Sequence, residues 1–196
     1  MAVTDKNLLD VICYAWSDIR KHKTTDDLRA QSRRWVDALA REFQAQYKCE
    51  QHRVFWRDNE DNQTHFRLNE LLFDIFVCSV GETNSFQQPS KGLQFVSECH
   101  WQIECEFHYR NSRSAIIDMS KLVMGSATNK LMIASHREDP DRVLEQCKPI
   151  AKSCTGNVYF CFVAHPEKWG QSPLAPSLHL WTGEKWKPMD VQTPSA

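Results

Sequence analysis

Three acidic residues, Asp74, Glu104 and Glu106, have the types and spacing for metal-assisted phosphodiester chemistry. Asp74 interrupts the apolar run Leu71-Leu72-Phe73-Asp74-Ile75-Phe76-Val77-Cys78. Such a run reads as a strand buried on both faces, where a carboxylate is costly unless it is paired, hydrogen-bonded or metal-bound. Taken alone, Asp74 fits a helix cap or a partner for an arginine equally well. The next candidate strand, His100–Tyr109, alternates strictly. His100, Gln102, Glu104, Glu106 and His108 fall on one face, and Trp101, Ile103, Cys105, Phe107 and Tyr109 on the other. Residues i and i+2 point the same way, so Glu104 and Glu106 project side by side. A half-exposed strand with a solvated polar face explains the alternation. It does not explain two aligned acids beside a buried aspartate. Three convergent carboxylates suit Mg2+ or Mn2+, which prefer oxygen ligands and bridge protein to phosphate. A cation there polarises a phosphodiester, activates water and stabilises the leaving oxygen.

The elements that must position these acids follow from periodicity. Residues 5–21 place Leu8, Leu9, Ile12, Cys13 and Trp16 at helical spacing. A second helix starts at the capping cluster Thr24-Thr25-Asp26-Asp27 and runs to about Lys48, with Leu28, Trp35, Val36, Leu39 and Phe43 as its apolar stripe. The strand Arg53–Arg57, the polar turn Asp58–Asn62 and a return through residues 66–80 predict a hairpin. Residues 81–92 read as a loop, and Leu93–Tyr109 as a strand interrupted near Ser97. A helix over 113–125, a strand over Asn129–Ser135, a helix from Pro140 to Ser153 and a strand over Asn157–Ala164 complete the core. The Pro- and Trp-rich tail from His165 offers Leu178–Trp181 as an edge strand, with Trp169, Trp181 and Trp186 expected to pack on the sheet. The order α-α-β-β-β-α-β-α-β predicts an α/β protein whose mixed central sheet is flanked by helices. The expectation is one domain over 1–196, with N-terminal helices over 1–50, a core over 53–164 and a tail over 165–196.

An α-β-β-β-α-β order, with an Asp on one strand and an acid-x-acid pair on the next, resembles the restriction endonuclease-like, or PD-(D/E)XK, superfamily. The resemblance is best over residues 24–135. It implies that Asp74 and Glu104 hold a divalent metal and that a Lys stands two residues after the Glu. This chain has Glu106 at that position, as some restriction enzymes do, where it is proposed to serve as, or to position, the general base. Other members carry the Lys on the following helix, and Lys121 in Asp118-Met119-Ser120-Lys121-Leu122 is placed for that role. A solvated helix lysine is the plain alternative. Glu70, on the strand face of Asp74, and Glu42, late in the second helix, are secondary acids. His108 and Arg110 follow the site strand, within reach of a phosphate.

Composition bounds the partners. Hydrophobic residues make up 41% and charged residues 25% of the 196, enough for a proper core. The formal net charge is −1, so there is no global basic field, and nucleic-acid contact must come from a local patch. Arg33, Arg34, Arg53, Arg57, Lys91, Arg110 and Arg113 are dispersed and balanced by acids, which reads as a mixed-charge surface. No signal peptide and no membrane-length apolar run is present, so the expectation is a cytoplasmic protein with no membrane partner. The eight cysteines contain no CxxC and read as reduced thiols, against a zinc reading of Cys49 with His52 or Cys147 with Cys154. The expected function is a Mg2+- or Mn2+-dependent nuclease acting on nucleic acid, DNA foremost, with a homodimer admitted. The alternatives are a nuclease fold that no longer cuts and serves as a binding or regulatory module, for example in host–virus conflict, and a structural α/β protein with a salt-bridged Asp74.

Overall fold

A computed structural model describes residues 2–21, 27–85, 92–107, 112–136, 139–171 and 174–189. The chain opens with two helices, α1 (Leu8–Lys21) and α2 (Leu28–Gln46). Asp27 caps α2 by accepting from the amides of Arg29 (2.9 Å) and Ala30 (3.3 Å), satisfying two donors that a helix start leaves open. Then follow β1 (His52–Phe55), α3 (Asp61–Phe66), β2 (Ile75–Asn84), β3 (Gly92–Glu106), α4 (Ser112–Val123), β4 (Asn129–Ser135), α5 (Pro140–Ser153) and β5 (Asn157–Val163). A short 3-10 turn (Pro166–Lys168) leads to β6 (Ser177–Trp181) and β7 (Trp186–Met189).

The seven strands lie in chain order in one mixed sheet. The strands β1, β2 and β3 are mutually antiparallel, β3, β4 and β5 are parallel, and β6 and β7 return antiparallel. Parallel neighbours need a crossover, which α4 and α5 supply. Ala115, Met119 and Leu122 of α4 and Val143, Leu144, Cys147 and Ala151 of α5 pack on one face with Phe76, Met132 and Phe160. On the other face, α1 and α2 bury Ile12, Trp16, Trp35, Leu39 and Phe43 against Val77, Trp101, Ile103, Leu131 and Tyr159. The result is a sheet between two helical layers, as expected for an α/β chain.

Three expectations are corrected by this structure. The polar segment after β1 contains the helix α3 rather than a tight hairpin turn, because the buried side chains of Asn59 and Asn62 both donate to the Val54 carbonyl (2.7 and 2.9 Å). β2 begins at Ile75, so Asp74 sits at the threshold of the strand and not in its middle. The loop expected over 81–92 is shorter, since β2 runs to Asn84 and β3 starts at Gly92. The predicted interruption near Ser97 is a bulge. The register steps from Ser79↔Glu98 to Val80↔Val96, and a second step from Val77↔Trp101 to Cys78↔Cys99 leaves His100 unpaired as well.

In the tail, Trp169 is buried among Trp16, Trp35 and Phe107 with ring centroids 5.7–6.3 Å apart. Trp181 and Trp186 pair across β6 and β7 at 5.3 Å. The tail thus adds two strands, one more than expected. No helix among the described residues is long and apolar enough to cross a membrane. The eight cysteines are free thiols, with Cys78, Cys147 and Cys161 buried.

Candidate metal centre

The two strands that carry the acids meet where β2 begins. The ladder between β2 and β3 ends at Ile75↔Ile103, and Asp74, in the bend just before β2, lies close enough to Glu104 for its charge to raise that carboxyl. Asp74 accepts a hydrogen bond from the Cys105 amide (2.8 Å), which ties its carboxylate to β3. The polar face of β3 is not solvated: Gln102 is 2% exposed and Glu104 1%, both under the α4 layer. The chain leaves α4 over Gln102 at Gly125, where any Cβ would fall about 2 Å from the Gln102 amide group. Only glycine allows that approach.

Lys121, in the last turn of α4, projects onto this face. Its Nζ donates to Glu104 Oε2 (3.0 Å) and to Asp118 Oδ1 (2.7 Å), one turn earlier on the same helix. Glu104 Oε1 is buried and has no hydrogen-bond partner among the described residues. A buried carboxyl oxygen without a partner is costly, and Gln102 Oε1 on the same face of β3 is in the same position.

Electrostatics follow from this arrangement. Burial first, and then the neighbouring Asp74 charge, push the Glu104 carboxyl up to about 8, with the Lys121 hydrogen bond only partly offsetting them. Burial also lifts Asp74 to about 6, against the lowering effect of the Cys105 amide and of Lys121, with Asp118 and Glu70 adding repulsion. Burial lowers the Lys121 ammonium, but its bonds to Asp118 and Glu104 outweigh that and hold its pKa above the ordinary lysine range.

Asp74 also lies in a cleft of about 790 Å3 that runs along α2. From α2 the cleft receives Arg29, Arg33, Arg34, Asp37 and Arg41; from the turn after β1, Arg57 and Asp58; from the segment before β2, Glu70 and Asp74. The Arg33 guanidinium grips Asp58 through two nitrogens, with its Nε 2.7 Å from Oδ2, and Arg41 Nε donates to Asp37 (2.9 Å). Asp37 also accepts from the Trp56 indole (3.0 Å).

Each candidate from the sequence can now be placed. Asp74, Glu104 and Lys121 come together. Glu106 shares their face one i+2 step along β3, about 7 Å farther on. Because of that spacing the three acids are not gathered into one cage, and no group of three His, Cys, Asp or Glu able to hold a metal occurs among the described residues. Magnesium usually keeps several waters and takes one or two carboxylates plus substrate oxygens, so Asp74 with Glu104 is a sufficient protein contribution. Glu70 lines the cleft beside Asp74. Glu42 does not; it lies near Asp18 of α1, and burial followed by that charge raises its carboxyl. His108, Arg110 and Lys91 lie outside the described residues. His100 bonds to Ser79 Oγ (2.7 Å) away from the acids. Arg53 is occupied by the carbonyls of Glu50 (2.7 Å) and His52 (2.9 Å).

Two features were not singled out from sequence. Asp118 is one; an acid three residues before a helix lysine looks like any surface pair. The other is the arginine group of the cleft, whose signal is the four-residue spacing of Arg29, Arg33, Asp37 and Arg41 along one stripe of α2. Glu104 is buried, and the hydrogen-bond donor to Asp74 among the described residues is the Cys105 amide. Comparison with protein-family models, curated proteins and solved structures finds no match.

Proposed function

We propose that this chain is a divalent-metal-dependent nuclease domain of restriction endonuclease-like fold. The observation that carries the reading is Glu104, a buried carboxyl near Asp74, with one oxygen on Lys121 and the other without a partner among the described residues. The element order α2-β1-β2-β3-α4-β4, with α3 inserted, supports the same reading, as do the position of Asp74 before the acid-x-acid strand and that of Lys121 on the following helix.

Asp74 and Glu104 would hold Mg2+ or Mn2+; oxygen donors of this kind, one of them orphaned, fit a hard cation. When bound, the cation supplies Lewis acidity toward a phosphodiester oxygen and lowers the pKa of a coordinated water. Lys121 is the internal counter-ion of Glu104 and Asp118, and its ammonium is placed to donate to the scissile phosphate once Glu104 turns to the cation. Glu106, half-buried on the same face, contributes to the metal or orients the attacking water. Asp118 is a positioning residue that keeps the lysine over the site.

The test is cleavage of single- and double-stranded DNA and RNA with Mg2+ and with Mn2+. Wild-type protein should cut at least one of them and Asp74→Asn none, with unchanged circular dichroism. A wild-type protein that cuts nothing with either metal sinks the enzymatic reading. The second reading, a nuclease fold that binds without cutting, is favoured by one observation: Lys121 is held by two carboxylates rather than presented to the cleft. It predicts no saturable Mn2+ uptake.

A further inference from the structure

We propose that the cleft along α2 binds the phosphate backbone of a single nucleic-acid strand and delivers it to Asp74. The inference rests on the nuclease reading for the identity of the ligand, but not for its binding residues, none of which touches the metal site. Arg29, Arg33 and Arg41 recur every fourth or eighth residue and so share one stripe of α2, about 18 Å long at 1.5 Å per residue. Arg33 and Arg41 are anchored by Asp58 and Asp37, which fixes the wall. Arg29, Arg34 and Arg57 are exposed, line the same cleft and make no ion pair among the described residues. They are the cations available to an incoming phosphate.

The distribution of charge selects one strand. The basic residues come mainly from α2; Asp37 and Asp58 are taken up by Arg41 and Arg33 and Asp27 caps the helix, whereas the segment before β2 contributes Glu70 and Asp74. One backbone can lie on the arginines with a phosphate turned toward Asp74. A duplex presents two backbones, and the second would meet carboxylates. The described cleft lining contains no aromatic ring and no Asn or Gln, hence no stacking platform and no amide to read adenine. Binding is therefore dominated by phosphate contacts and tolerant of sequence.

The test is fluorescence anisotropy of the full chain with fluorescein-labelled DNA and RNA strands of one mixed sequence, and with the DNA duplex, in EDTA. Both single strands should bind more tightly than the duplex, and the DNA and RNA arms show whether the 2′-hydroxyl is read. The triple variant Arg29→Ala/Arg34→Ala/Arg57→Ala should weaken strand binding about ten-fold or more and lower the slope of log Kd against log salt by about two, three contacts at about 0.7 each. Lysine at the same three positions should retain most of the affinity, which separates lost charge from lost fold. Asp74→Asn should bind at least as tightly as wild type. Unchanged binding by the alanine triple variant, or preference for the duplex, overturns the proposal. Strand binding that depends on the three arginines without Mn2+ uptake by the wild type supports it, while removing the metal reading.

Discussion

Replacing Glu104 by Gln should stabilise the metal-free protein above neutral pH. Glu104 is 1% exposed, and its carboxyl is pushed up to about 8 from an ordinary value of 4.5, first by burial and then by the Asp74 charge. A carboxyl whose folded pKa is raised favours the native state fully below its unfolded pKa, and that advantage is lost as pH rises through the folded value. Here the window runs from about 4.5 to about 8. Each pH unit within it costs about 1.4 kcal/mol, so at pH 7 the loss from Glu104 is on the order of 3 kcal/mol. Asp74 loses stability in the same direction between 3.8 and about 6, by a smaller amount because its carboxyl is raised less than that of Glu104. Gln keeps the volume of Glu104 and an acceptor for Lys121 but cannot ionise, while Lys121 retains Asp118 at 2.7 Å. In EDTA at pH 8 the variant should gain about 2–4 kcal/mol, a Tm increase of roughly 5–10 °C for a chain of this size. Urea denaturation followed by tryptophan fluorescence from pH 5 to 8.5 reads both quantities. Wild-type stability that stays flat or rises over this range, or a variant no more stable than wild type at pH 8, refutes the reasoning.

Other perturbations act on the frame and on the site. Lys121→Met leaves Glu104 and Asp118 without this cation; cleavage should be lost, and because Lys121 lowers the Glu104 and Asp74 carboxyls, the fall of stability with rising pH should extend above pH 8, as read by thermal melts. Lys130 is fully buried and donates to the carbonyls of Ala127 (2.8 Å) and Thr155 (2.6 Å) and to the Thr155 hydroxyl (3.3 Å). Lys130→Met should cost about 2–4 kcal/mol in urea unfolding, since the acceptors it leaves are buried. Gly156 has φ +75°, and a Cβ there would stand 2.3 Å from the Thr128 carbonyl oxygen. Gly156→Ala should therefore destabilise by about 1–3 kcal/mol, measured by the same method.

The parts legible in the sequence are those whose pattern and environment agree. The buried strands β4 and β5 are built on the apolar runs Leu131–Ala134 and Val158–Val163, and α5 announces itself by Pro140 in the first turn; the structure adds Asp139 as its cap, accepting from the Arg142 amide at 2.9 Å. Alternation placed Glu104 and Glu106 on one face of β3, and the apolar run around Asp74 pointed to its burial. The burial of Glu104 was not legible, because alternation alone does not say whether a helix covers the polar face. Only the crossover through α4 does so. The start of α3 was hidden for a similar reason: its residues are polar, and its anchors are side-chain bonds from Asn59 and Asn62 back to β1. β7 carries Pro188, which argues against a central strand but is tolerated at a sheet edge, where its missing donor faces outward. The arginines of the cleft looked dispersed along the chain because Arg57 joins α2 only through the turn after β1.

The central claim is that Asp74 and Glu104 together hold one divalent cation. Isothermal titration of the wild-type chain with Mn2+ at pH 8, beside Asp74→Asn and Glu104→Gln, tests it most directly. The account predicts one saturable site in the wild type and none in either variant, with a thermal stabilisation in Mn2+ that both variants lack. Absence of saturable binding in the wild type, or equal binding in both variants, would contradict it.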